Sequence, residues 1–91
     1  MKWQNLSLTE RAILEHLYNH GPNCAKFIAR ELTLELKDAM DLLKTLQKQG
    51  WIQRVEGRFL KPKGWRKTKH MNHTYYILTR EAELLLRLKH R

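Results

Sequence analysis

Residues 28–55 read IARELTLELKDAMDLLKTLQKQGWIQRV, and this stretch contains two helical patterns with a short turn between them. The first pattern follows Asn23, which can cap a helix, and ends near Leu32. The second covers residues 35–49 and stops at Gly50, because glycine readily takes the left-handed backbone of a helix C-cap. The stretch therefore predicts a helix, a turn and a longer helix. The apolar face of the longer helix consists of Leu36, Ala39, Met40, Leu43 and Leu46.

Another helix precedes this stretch. Ser7 and Glu10 match a capping box, and apolar residues follow them at helical spacing. Gly21 is followed by proline, which cannot continue a helix, so the first helix covers about residues 8–19. We therefore expect a three-helix core over residues 7–50.

Two β-rich runs follow the third helix. The first, residues 51–60, interleaves apolar with polar residues, and the second, residues 73–78, is rich in tyrosine and β-branched residues. Together they predict a β-hairpin, or wing, over residues 51–78, with a long loop at its tip. Thr79 can then cap a last helix in the segment 79–91, from Arg80 to about Lys89.

The length of the chain fits a single domain. Ninety-one residues, of which 42% are hydrophobic, have room for one small core. We therefore expect one mainly α domain with a small β-hairpin (α+β) over residues 1–91.

The sequence carries no pattern of export or membrane insertion. No uninterrupted hydrophobic run is longer than four residues, the run of leucines at 84–86 included, and the N-terminus lacks the apolar core of a signal peptide. Cys24 has no second cysteine in the sequence to form a disulfide with, which suits a reducing compartment. We expect a cytoplasmic protein that does not enter a membrane.

The order helix, helix, helix, hairpin and helix resembles a winged helix-turn-helix domain. Residues 28–55 are similar to the second helix, turn, recognition helix and first wing strand of MarR-like and related prokaryotic regulators, although Thr33 stands where many such domains have glycine. The ending NHTYYILTREAELLL also looks like a small, mostly archaeal winged-helix family of unknown function. The resemblance implies a DNA-binding transcriptional regulator. The positions that carry it are Ala29, Leu32, Leu34, Ala39, Leu43, Leu46, Gly50, Trp51 and Ile52.

Positive charge is concentrated in residues 58–73, which we call the wing segment. The chain has a formal net charge of +9, and this segment contains six Lys or Arg residues and no acid. Such a local excess indicates a polyanionic partner, and a hairpin could place it along a phosphate backbone. Trp65 could stack, enter a groove, or fold back over the basic side chains. The candidate DNA-binding residues are Arg58, Lys61, Lys63, Trp65, Arg66, Lys67 and Lys69.

The outward face of the third helix supplies a second group of candidates. Lysines on this face suit phosphate groups, while Asp41 could pair with a neighbouring lysine or accept from a cytosine amino group. The face has no Arg or Asn for a bidentate contact with a base, so we expect weak direct readout and a bias from groove shape. The candidates for DNA contact are Lys37, Lys44, Thr45 and Lys48.

His16, His20 and Cys24 follow one another at intervals of four residues, which suggested a metal site. Cys24 lies beyond the break at Gly21, and the sequence offers no evident fourth ligand, so we expect no metal. No catalytic constellation or phosphate-cradling loop is present either. We therefore expect neither an enzyme nor a cofactor.

The last helix has apolar residues on two sides. Leu84, Leu85 and Leu88 share one face, whereas Ala82 and Leu86 lie nearly opposite. One side covers the core, and the other suggests a homodimer through this helix. We assign Leu86 to the dimer, with a possible contribution from the N-terminal arm.

These patterns predict a DNA-binding transcriptional regulator that grips the phosphate backbone with its basic wing and places the third helix in the major groove of double-stranded DNA. The alternative is a winged-helix module of a larger assembly that binds protein or RNA.

Overall fold

The computed structural model of the protein describes residues 2–56 and 74–90. Within them the order of elements is the predicted one, with one short strand added before the second helix. No helix of this part of the chain is long and apolar enough to cross a membrane. After a 3-10 turn at Trp3–Asn5, the elements are α1 (Leu8–His20), β1 (Asn23–Cys24), α2 (Ala25–Glu31), α3 (Leu36–Lys48), β2 (Ile52–Glu56), β3 (Thr74–Leu78) and α4 (Arg80–Lys89).

Ser7 and Glu10 form the predicted capping box at the start of α1. The Ser7 N–H donates to Glu10 Oε1 at 2.9 Å, and the Glu10 N–H donates to Ser7 Oγ at 3.1 Å. Both N–H groups lack a carbonyl partner in the helix, so the box satisfies them. At its other end α1 runs to His20, one residue past the predicted end, before Gly21 takes a positive φ of 82°.

The start of α2 differs from the prediction that Asn23 caps it. Asn23 belongs to β1 and pairs with Tyr76, while Cys24 occupies the N-cap of α2 and makes no side-chain capping bond. The Asn23 side chain instead accepts from the Cys24 N–H at 2.9 Å. The prediction failed because cap preference reflects local hydrogen bonding, whereas β1 forms by pairing with a strand from the far end of the chain.

The turn between α2 and α3 places Thr33 in the left-handed backbone conformation, with φ of 55°. The Thr33 N–H donates to the Arg30 carbonyl at 3.3 Å, and the Leu34 N–H donates to the Ala29 carbonyl at 2.8 Å. These bonds close the C-terminal end of α2. Thr33 therefore adopts the conformation that glycine takes readily, although it has a branched side chain.

The three strands of the described residues form an antiparallel sheet in the order β1, β3, β2. β2 pairs with β3 along its whole length, with Ile52 opposite Leu78 and Glu56 opposite Thr74, as predicted for the stems of the hairpin. β1 pairs with the other edge of β3 and was not predicted. The sheet therefore ties the segment between α1 and α2 to the hairpin.

The core lies between the helices and the sheet, and Leu86 of α4 belongs to it. This corrects the prediction that Leu86 faces a second copy, because Leu86 and Ala82 have 0% exposure. The opposite side of α4 is the outward one, where Leu84 is 44% and Leu88 is 64% exposed. The largest fully buried side chains are Ile13, Leu14, Ile28, Leu43, Leu46, Ile52 and Leu86.

Contacts at both ends of α4 fix its rotation. At its start, Thr79 Oγ1 donates to the Gly50 carbonyl at 2.8 Å and also accepts from the first turn of α4. At its end, His90 Nε2 lies 2.9 Å from Glu15 Oε2, and the His90 ring stacks on Tyr18 with 5.1 Å between ring centroids. Because both ends of α4 are held, its Ala82 and Leu86 side chains face the core.

Candidate nucleic-acid interface

α3 exposes the residues that the sequence predicted to face DNA. Lys37, Lys44, Thr45 and Lys48 are exposed and lie along the side of α3 that points away from the core. Thr45 Oγ1 donates to the Asp41 carbonyl at 3.1 Å, so the hydroxyl hydrogen is engaged within the helix. The three lysine ammonium groups are therefore the positive charges that this face offers to a partner.

Asp41 lies on the same face of α3 as these lysines. Its carboxylate makes no ion pair with any residue in the part of the chain that the structure describes, so the pairing with Lys37 or Lys44 that the sequence suggested is not formed. The carboxylate is exposed and free to accept a hydrogen bond. A negative charge here would repel an anionic partner and limit where such a partner can lie along α3.

The candidates on the wing segment lie outside the described residues. Arg58, Lys61, Lys63, Trp65, Arg66, Lys67 and Lys69 therefore stay predictions. Glu56 and Thr74, the described residues on either side of that segment, pair across the sheet.

A groove runs between α3 and the paired strands β2 and β3. Its larger part has a volume of about 460 Å³, and a smaller part of about 260 Å³ extends to the start of α2. The two parts share Met40, Arg54 and Tyr76, and we call them together the α3 groove. The larger part is lined by Leu36, Lys37, Met40, Asp41, Lys44, Gln47, Arg54 and Tyr76, and the smaller part adds Cys24, Ala25, Lys26 and Thr74.

The lining of the α3 groove combines positive charge with apolar surface. Among the described lining residues Asp41 is the acid, and the cations outnumber it. A concave surface with this composition favours a ligand that carries negative charge and also exposes apolar groups. The cations are Lys26, Lys37, Lys44 and Arg54, and the apolar surface comes mainly from Leu36, Met40 and Tyr76.

Sequence reasoning missed several residues of the groove. Leu36 and Met40 were predicted to belong to the buried face of the third helix, but they are 49% and 50% exposed. The alternation of apolar and polar residues identifies Arg54 only as a polar residue of a half-buried strand. A helical projection indicates that Met40 can be exposed, because Met40 lies roughly 60° from Leu43, at the edge of the buried stripe. Whether such a flank is covered depends on neighbouring elements, which the projection does not contain.

His16 joins α1 to β1 and shows no arrangement for a metal. The Asn23 Nδ2 group lies 3.0 Å from His16 Nε2, within hydrogen-bond distance, and the ring of His20 is 4.8 Å away. Burial, followed by the nearby His20, lowers the pKa of His16 below its ordinary value, while Glu31 acts in the opposite direction. Within residues 2–56 and 74–90, no three metal-binding side chains come together.

The chain has the same fold as several solved structures, some of which are described as transcriptional regulators. The chain matches a mutant of ZitR from Lactococcus lactis with a TM-score of 0.72 and 24% identity, covering 93% of this chain and 51% of that one. It matches a MarR-like transcriptional regulator from Thermotoga maritima with a TM-score of 0.70 and 17% identity, covering 91% and 52% of the two chains. A MarR family regulator from Neisseria meningitidis gives a TM-score of 0.65 and 21% identity over 96% and 57%. The protein therefore has the winged helix-turn-helix fold of MarR-like regulators.

The chain spans about half the length of these solved structures. A sequence search of curated proteins found no significant match. The model of one protein family covers nearly the whole chain, residues 4–89, which confirms the resemblance of its C-terminal stretch to an archaeal family. The chain belongs to that family, which is described as "uncharacterized protein conserved in archaea (DUF2250)".

Proposed function

We propose that the protein is a transcriptional regulator that binds double-stranded DNA. The observation that carries the proposal is the exposed face of α3, where Lys37, Lys44 and Lys48 stand beside a groove to which Arg54 adds another cation. Two of the solved structures of similar fold cited above are described as MarR-type regulators, which supports the same function. The proposal requires neither a cofactor nor a catalytic step.

α3 has the position of a recognition helix, because it follows α2 after a turn of four residues, Leu32 to Glu35. In helix-turn-helix proteins this second helix enters the major groove, and its N-terminal residues approach the base edges. Lys44 and Lys48, further along α3, then come near the phosphates that border the groove. Arg54 on β2 offers a further phosphate contact from the opposite wall of the α3 groove.

The wing segment supplies most of the remaining charge in this proposal. Each lysine or arginine that neutralises a phosphate releases a bound counterion, so binding weakens as salt rises. The wing contributes to affinity without reading a sequence of bases. The residues proposed for this role are Arg58, Lys61, Lys63, Trp65, Arg66, Lys67 and Lys69.

Titration of random-sequence duplex DNA at several salt concentrations tests the proposal. We expect the logarithm of affinity to fall linearly with the logarithm of salt concentration, with a slope of about 0.9 for each phosphate contact. Lys44→Ala combined with Lys48→Ala should weaken binding and flatten the slope by up to about 1.8. Changing Lys63, Arg66, Lys67 and Lys69 to Ala should flatten it further, since the wing carries more charge than α3.

Lys2→Ala with Arg30→Ala is the matched control, because it removes the same charge from two exposed residues outside the α3 groove. It should leave the slope nearly unchanged. Equal effects of the two double variants would contradict the assignment of α3. A parent protein without salt-dependent affinity for duplex DNA would contradict the function itself and favour a winged-helix module that binds protein or RNA.

We further propose that the regulator is a homodimer joined through α4. Leu84 and Leu88 form an exposed apolar strip on the outward side of the helix, in place of the buried Leu86. Acidic residues lie in the first turn of α4 and basic residues in the last turn. An antiparallel pair of α4 helices would therefore set opposite charges against each other on both sides of the strip.

A further inference from the structure

Leu36 and Met40 are exposed on the part of α3 that contacts the DNA bases in helix-turn-helix proteins. They lie in the first two turns of α3, four residues apart and therefore on the same side of the helix. About half of each side chain is exposed, although Ala39 and Leu43 beside them are fully buried. A single exposed leucine would need no explanation. Two large apolar residues exposed together at the N-terminal end of a recognition helix do need one.

The surroundings of this apolar pair indicate what it contacts. Lys37, Lys44 and Arg54 line the same groove and outnumber Asp41, the acid among the described lining residues, so the groove suits a ligand with negative charge around an apolar centre. The major groove of DNA has this composition at thymine, whose 5-methyl group projects between two phosphate backbones. A recognition helix fits that groove, which is about 12 Å wide.

We infer that Leu36 and Met40 contact the 5-methyl groups of thymines in the major groove and so give the protein a preference for thymine. This inference rests on the proposed function and adds the base that α3 recognises. Leu36 and Met40 are about 6 Å apart along the helix axis, and successive bases of a strand are about 3.4 Å apart. The two side chains thus reach methyl groups about two base steps apart. The recognition needs no arginine or asparagine, which is why the sequence alone predicted weak direct readout.

The expected preference follows from the apolar surface removed from water. Burying one methyl group raises affinity about fourfold, so two methyl groups raise it up to about fifteenfold. This gain depends on the methyl groups and not on salt, since no counterion is displaced by an apolar contact. Thymine preference and salt dependence can therefore be measured separately.

The test compares thymine with uracil, which lacks only the 5-methyl group. Duplexes selected from a random pool on the parent protein are copied with either dTTP or dUTP, and binding to the two copies is measured at one salt concentration. We expect the parent to bind the thymine copy about four to fifteen times more tightly. Leu36→Ala with Met40→Ala should bind both copies equally, at about the parent's affinity for the uracil copy. The double variant should also keep the parent's salt slope on random DNA.

Two further variants make the result decisive. Leu8→Ala removes exposed apolar surface from α1, away from the α3 groove and from the Leu84 and Leu88 strip, and should keep the thymine preference. Leu36→Gln with Met40→Gln keeps long side chains of similar helix propensity and should lose the preference, which covers the case in which the alanine variant is poorly folded.

Equal binding of the parent to the two copies would overturn the inference while leaving DNA binding intact. A preference that persists in both Leu36 and Met40 double variants would overturn it as well, because DNA shape or another residue would then carry the preference. Failure of the parent to bind any duplex would instead contradict the proposed function, and the thymine inference with it.

Discussion

Thr33 occupies a backbone conformation that a β-branched residue adopts at a cost. Its φ of 55° lets the N–H groups of Thr33 and Leu34 satisfy carbonyls at the end of α2. The left-handed conformation costs an L-residue roughly 1 to 2 kcal/mol, which glycine does not incur. The side chain of Thr33 is exposed, so no burial offsets this cost.

We expect Thr33→Gly to raise the free energy of unfolding by roughly 0.5 to 1 kcal/mol. Glycine relieves the backbone strain in the folded state. Part of this gain is lost because glycine also raises the conformational entropy of the unfolded chain. Chemical denaturation followed by circular dichroism measures the change. Thr33→Ala is the control, because it keeps the Cβ atom and should give no such gain. A glycine variant less stable than the parent would show that the threonine is not strained.

At the scale of the element, the two sides of α4 have different roles. Leu86 is fully buried, whereas Leu88, two residues later, is 64% exposed. The same residue type therefore contributes to the core at one position and to the surface at the other. The bonds of Thr79 and His90 at the two ends of α4 set this rotation.

Leu86→Ala should lower the free energy of unfolding by roughly 2 to 5 kcal/mol, because it leaves a cavity in the core. Leu88→Ala should change it by no more than about 0.5 kcal/mol, since the side chain is mostly in water already. Denaturant titration at low protein concentration compares the two and keeps self-association from adding to stability. Similar losses in both variants would mean that α4 is not rotated as described.

At the scale of the whole molecule, the residues that the structure describes include two surfaces that suit the proposed partners. The α3 groove, with its cations, is suited to DNA, and the Leu84 and Leu88 strip of α4 is suited to a second copy. They consist of different residues, so variants of one surface can be tested without changing the other. A dimer would present two α3 helices to one duplex, which is how helix-turn-helix dimers recognise paired half-sites.

Leu84→Glu with Leu88→Glu should shift the sedimenting mass toward the monomer, because it places carboxylates in the apolar strip of α4. The circular dichroism spectrum should be unchanged, since both positions are exposed. Leu36→Glu is the control, because Leu36 is similarly exposed but lies in the α3 groove. A parent that sediments as a monomer at high concentration would contradict the dimer. Leu86→Glu is not a valid test, as it would place a charge in the core.

Much of the fold could be predicted because its signals are local. The capping box of Ser7 and Glu10, the glycine after α1 and the apolar stripe of α3 act within a few residues of chain, and the structure has the helices they predicted within one or two residues. The same stripe predicted the exposed lysines of α3, because they lie on the opposite side of the helix. β1 was missed because two residues carry no periodicity, and they form a strand only by pairing with β3.

The sequence by itself determined the order of the helices in the described residues and the position of the positive charge along the chain, since these depend on nearby residues. It also indicated the pairing of β2 with β3, because the two β-rich runs follow one another without a helical pattern between them. The tertiary structure decided which face of α4 is buried and which flank of α3 is left open. Helical periodicity places Leu86 opposite Leu88, and Met40 beside Leu43, without stating which of them is covered. Burial of Leu86 and exposure of Met40 follow from elements distant in sequence, because solvent is excluded only where another element packs.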